Sequence, residues 1–166
     1  LEFRRVLFRS RLLLVASVLL LASRGSAWAQ PRAVTITIPT GVSFAVNNIA
    51  ASTTGSPNPF RITFTNTVNF KKNDNLNISV KADTTRFSGP AGTQIPASAV
   101  SWTATTPAGV ASNGTLSSTA YGQVFISPAE PSNGSVSMVW TLAPIAASGL
   151  HAGTHTITVR WRLEFL

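Results

Sequence analysis

The chain has 166 residues, a formal net charge of +8 and no cysteine. That length holds one ordinary domain, and the lack of cysteine excludes a disulfide scaffold, a thiolate nucleophile and a cysteine-ligated metal. Apolar residues make up 44% of the chain and charged residues only 11%, so Ser, Thr and Asn carry the polarity and a packed core is favoured over disorder.

Residues 1–10 read Leu-Glu-Phe-Arg-Arg-Val-Leu-Phe-Arg-Ser. Val6 to Ser10 looks like the in-frame translation of a sequencing adapter, so the segment is expected to be an assembly or cloning scar; the other reading is a natural basic flank. Residues 11–29 have the grammar of a secretory signal peptide: Arg11, the apolar run Leu12–Ala22 interrupted by Ser17, and the small-x-small triplet Ala27-Trp28-Ala29. The run is shorter than the roughly 20 residues that span a bilayer, which argues against the rival reading of an uncleaved anchor. Cleavage after Ala29 is expected, leaving Gln30 first. The segment to be removed carries five arginines against Glu2, half of the formal charge. The high basicity is therefore not a nucleic-acid signature.

From residue 30 to residue 166 apolar side chains recur with period two, the mark of a strand with one buried and one wet face. The runs are Val34–Ile38, Val42–Val46, Phe60–Phe64, Leu76–Val80, Val136–Leu142 and Ile157–Phe165. Turn signals separate them: Gly55-Ser-Pro-Asn-Pro59, Lys72-Asn-Asp-Asn75, Asn113-Gly114 as a hairpin, and the loop Pro128–Gly134. One short helical turn fits residues 143–152. The segment Ala33–Ile38, set off by Pro39, either folds onto its own domain, which is the favoured reading, or is lent to a neighbour as an added strand. Residues 30–166 are thus expected to form a single all-β domain, an antiparallel β-sandwich of about seven to nine strands.

The stretch Leu150-His-Ala-Gly-Thr-His-Thr-Ile-Thr-Val-Arg-Trp-Arg-Leu163 resembles the last strand of bacterial exported Ig-like domains, the spore-coat-U-type and fimbrial-subunit-like proteins. The resemblance covers that ending alone, and the cysteines usual in the spore-coat-U type are missing. It implies an Ig-like sandwich in an extracytoplasmic setting, secreted, periplasmic or at the cell surface. It carries over no site residue.

No catalytic constellation is evident. Asp74 and Asp83 would approach only if their segments formed a hairpin, and Asp74 reads as a solvated turn carboxylate beside Lys71 and Lys72. Asn73-Asp74-Asn75 is thin in charge for calcium. His151 and His155 straddle Gly153, which spoils a shared metal ligation, so loop or strand-edge histidines are expected. No metal, cofactor or nucleotide site is assigned. Trp140 and Trp161 fall on apolar faces and are expected in the core. Trp102, with Tyr121, is the one plausible platform for stacking on a sugar, with core packing favoured for Trp102 itself. Arg61, Lys81, Arg160 and Arg162 point to wet faces and could form a basic surface, read first as protection against edge aggregation and second as attraction to anionic polymers. The expected function is a non-enzymatic structural or protein-interaction domain of the bacterial envelope. Its partners would be itself or another envelope protein through strand addition, or an anionic or neutral polysaccharide, with no nucleic acid and with the membrane met only during export. The second reading is a secreted carbohydrate-binding module.

Overall fold

The computed structural model describes residues 33–90, 95–145 and 152–166. The chain divides into two units, Leu1–Pro31 and Arg32–Leu166. The first, with the expected scar and signal peptide, lies outside the described residues.

Among the described residues ten strands and one 3-10 turn, Ala97–Ala99, follow one another. The strands are β1 (Ala33–Thr37), β2 (Thr53–Thr54), β3 (Phe60–Val68), β4 (Leu76–Ala82), β5 (Val100–Thr105), β6 (Val110–Ala111), β7 (Gly114–Thr115), β8 (Gly122–Ile126), β9 (Gly134–Leu142) and β10 (Val159–Phe165). They form two antiparallel sheets. One runs β1-β3-β9-β5-β7, with β2 beside β9, and the other runs β10-β4-β8-β6. The sandwich is as the alternation requires: Phe60, Ile62 and Phe64 of β3, Leu76, Ile78 and Val80 of β4, and Val136, Met138, Trp140 and Leu142 of β9 are all buried.

An aromatic seam joins the layers. Phe60 of β3 stacks on Trp161 of β10, with ring centroids 6.0 Å apart and planes 10° apart. Phe64 stacks on Phe125 of β8 at 5.2 Å. Trp140 stands nearly perpendicular to both Phe60 and Trp161, at 88° and 83°. Its buried Nε1 has no hydrogen-bond partner among the described residues.

Three sequence expectations are corrected. Val42–Val46 is not a strand: Ser43 makes a single bridge to Ser56, with Ser43 N–H and Ser56 N–H each donating to the other's carbonyl. Pro57 and Pro59 follow and have no N–H, so the ladder stops there. Asn113-Gly114 is not a hairpin. Its flanking strands β6 and β7 pair with β8 and β5, so the segment crosses from one sheet to the other. Asn113 Oδ1 accepts the Ala104 N–H at 2.9 Å, which ties the crossing to β5. The run from Ile157 enters the ladder only at Val159, after an isolated Ser88–Thr156 bridge. Of the expected helical turn, residues 143–145 are neither helix nor strand and 146–151 lie outside the described residues.

Candidate functional site

The acids and histidines singled out in the sequence do not come together among the described residues. Asp74 and Asp83 sit beyond opposite ends of β4, more than about 20 Å apart at about 3.3 Å per residue. Asp74 is buried rather than solvated, and its Oδ2 accepts the Lys71 N–H at 2.7 Å, closing the 71–74 turn. Asp83 forms an ion pair with Arg160. His151 lies outside the described residues, and the His155 ring packs over Gly89. No group of three or more His, Cys, Asp or Glu side chains converges among the described residues. A cleft lined by Thr67, Asn69, Phe70, Glu130, Pro131 and Ser132 has Glu130 as its ionisable group, and a single carboxylate does not make a hydrolytic pair.

Trp102 is no platform. It is 2% exposed, on the inward face of β5, and its Nε1 donates to the Ser112 carbonyl at 2.9 Å. Gly114 and Gly122 lie against the indole; a Cβ at Gly122 would come within 2.6 Å of the ring. Both ring faces are thus spent on protein, and no sugar can stack there. The signal was present: Val100, Trp102 and Ala104 alternate with Ser101, Thr103 and Thr105.

Tyr121 instead belongs to a cluster on the outer face of the four-stranded sheet. The β10–β4 register sets Arg160 opposite Lys81 and Arg162 opposite Ser79. On the other flank of β4, Val80 pairs with Gly122, which brings the preceding Tyr121 beside Lys81. Arg162 Cζ lies 4.4 Å from the Tyr121 ring centroid and Lys81 Nζ lies 5.2 Å from it. Such contacts contribute about 0.5–1 kcal/mol each at exposed sites. Arg162 Nε also meets Glu164 Oε2 at 3.2 Å. The hydrogen bond from Arg160 to Asp83, with the attraction between their charges, raises the already high pKa of Arg160, so its charge is fixed at every ordinary pH. Asp83 and Glu164 offset two of the three cations.

Arg61 is not part of this cluster. It lies on β3 in the other sheet and donates from Nη2 to Ser135 Oγ at 2.9 Å. The four basic residues therefore do not form one stripe: three gather around Tyr121 and one stands apart.

The second feature is an edge. β10 ends its sheet and pairs only with β4 among the described residues. Leu163 and Phe165 point to its inner face, opposite the fully buried Ile78 and Leu76, yet remain 43% and 38% exposed. β1, the edge of the other sheet, pairs with β3 of its own chain and packs Val34 and Ile36 against the core.

The chain matches no protein-family model, no curated protein and no solved structure.

Proposed function

We propose that the chain is an exported, non-enzymatic structural or protein-interaction domain of a bacterial envelope, an Ig-like sandwich that works by presenting sheet edges to other chains. The carrying observation is the edge of β10, seven residues long, with apolar Leu163 and Phe165 left exposed beside it. An open edge with apolar side chains is a template for strand addition, because main-chain groups give affinity and the side-chain slots give specificity. The signal-peptide pattern of residues 11–29 and the resemblance of residues 150–163 to exported bacterial domains support the envelope setting.

Photo-crosslinking in a bacterial host expressing the full chain tests this. A photoreactive side chain at Leu163 is expected to give a discrete protein adduct in the envelope fraction, and one at the exposed Thr103 of β5 is not. Retention on an insoluble polysaccharide with no edge adduct would replace this reading with the carbohydrate-binding one. That alternative now rests on Tyr121 and its cations, since Trp102 is buried.

A further inference from the structure

We infer that β10 pairs with β10 of a second copy of this chain, antiparallel about a two-fold axis at Leu163. The two four-stranded sheets would then run on as one sheet of about eight strands. This rests on the interaction reading above and names the partner.

The direction of the main-chain groups comes first. Leu166 and Asn75 exchange both backbone hydrogen bonds, at 2.9 Å each, and the Asp83 N–H donates to the Thr158 carbonyl at 2.9 Å. In an antiparallel ladder a residue sends its N–H and C=O to the same side and its neighbours send theirs to the other. The even-numbered residues of β10 therefore face β4. Val159, Trp161, Leu163 and Phe165 direct their N–H and C=O groups to the free edge. A partner strand must present its own edge-facing residues to these.

The side chains then choose the register. In the segment Trp161-Arg162-Leu163-Glu164-Phe165 the residues flanking Leu163 are complementary. With the axis at Leu163, Leu163 meets Leu163 of the copy, Arg162 meets Glu164 on each side, and Trp161 meets Phe165. Opposite charges and paired aromatics are the favourable cross-strand combinations. An axis at Arg162 sets Arg162 against itself. An axis at Trp161 sets Arg160 against Arg162, and one at Glu164 sets Glu164 against itself. Like charges directly opposite are unfavourable; axes at Val159 and at Phe165 escape them too, but set Arg162 and Glu164 against no opposite charge, so the Leu163 register is the one that pairs both. The same register covers Leu163 and Phe165, 43% and 38% exposed in one chain. Arg162 then both deters indiscriminate edge pairing and admits the one partner whose Glu164 answers it.

The lack of native cysteine gives a clean test. In the directly hydrogen-bonded pair the two Cα atoms stand about 5.5 Å apart, within disulfide reach. Leu163→Cys is expected to give a covalent dimer on mild oxidation of the purified protein, whereas Phe165→Cys, which faces Trp161 of the copy, is not. In sedimentation velocity the native protein is expected to shift from monomer to dimer as concentration rises. Arg162→Glu and Glu164→Arg are each expected to weaken the dimer about tenfold or more. Mixing the two variants restores both charge pairs, and with them the dimer. Should either variant fail to fold, the cysteine pair decides alone. A native monomer at all concentrations, or equal crosslinking from positions 163 and 165, would overturn the pairing. If the envelope adduct at Leu163 then proves to be another protein, the interaction reading stands without this partner; with no adduct at all, both fall.

Discussion

Trp161 and Arg162 are chain neighbours with opposite environments. The indole stacks on Phe60 inside the sandwich, while the guanidinium lies over Tyr121 on the outer face. Trp161 is half-buried because it stands on an edge strand, so Trp161→Ala is expected to cost about 2–4 kcal/mol, toward the low end for large aromatic truncations. Arg162→Ser, measured at a concentration where the protein is monomeric, is expected to cost under about 1 kcal/mol, as exposed pairs do. Urea midpoints check the order; a larger loss at Arg162 would mean that the strand is out of register by one residue. Gly122 makes a sharper case. Its missing Cβ leaves room for the Trp102 ring, so Gly122→Ala is expected to destabilise by about 1–3 kcal/mol, as overpacking does. The pairing Gly122→Ala with Trp102→Phe relieves the clash, and a double-mutant cycle is expected to show a positive coupling between the two sites.

At the scale of the element, β1 is the strand whose removal is most informative. Among the described residues it pairs with β3 alone of the strands, and its apolar side chains are half-buried against the core. Removing residues 30–39 is expected to lower stability by about 2–4 kcal/mol, since fully burying each such side chain contributes about 1.5–3 kcal/mol and these are partly exposed. A peptide spanning 33–39 is expected to bind the truncated domain and raise its midpoint again. A truncation without effect on the midpoint would show that β1 adds nothing to the sandwich. Where the chain alternates cleanly, as in β3, β4 and β9, sequence alone places the strand and its inward face. It fails where another force takes over. In β8 a bulge between the Ile78 and Ser79 pairs sets Val124 and Phe125 both inward, which erases period two. At Asn113-Gly114 the turn chemistry is real but the strands on either side join different sheets. The Tyr121 cluster was out of reach for the same reason: Lys81 and Arg162 lie on neighbouring strands and Tyr121 just before the next one, β8, and only the strand order brings them together.

For the molecule as a whole, the core is built from apolar side chains of both sheets, with no cysteine in the sequence to staple it. The apolar contribution comes from pairs distant in sequence, such as β3 with β9 and β4 with β10. Topology of that kind folds slowly, on the scale of milliseconds to seconds, because loop closure precedes the reward of pairing. Refolding from urea is expected to fall in that range, and a reductant is expected to leave the melting temperature unchanged. Export is tested separately: protein recovered outside the cytoplasm is expected to begin at Gln30, read by intact mass, and an uncut chain in the membrane fraction would reject the signal-peptide reading.

The aromatic seam has an optical consequence. Of the four tryptophans in the sequence, the three beyond Trp28 lie in one row, with Trp102 and Trp140 centred 5.5 Å apart and Trp140 and Trp161 6.5 Å apart. The row starts in one sheet and finishes in the other. Indoles at this spacing exchange excitation energy and share their transitions, so light absorbed by any one of them reports on all three. The folded chain should carry a strong near-ultraviolet circular dichroism band and strongly depolarised emission. The share carried by Trp140 and Trp161 is lost once the layers part, while that of Trp102 and Trp140, partners within one sheet, lasts as long as that sheet does, so the two contributions report separately on layer and sheet without a label.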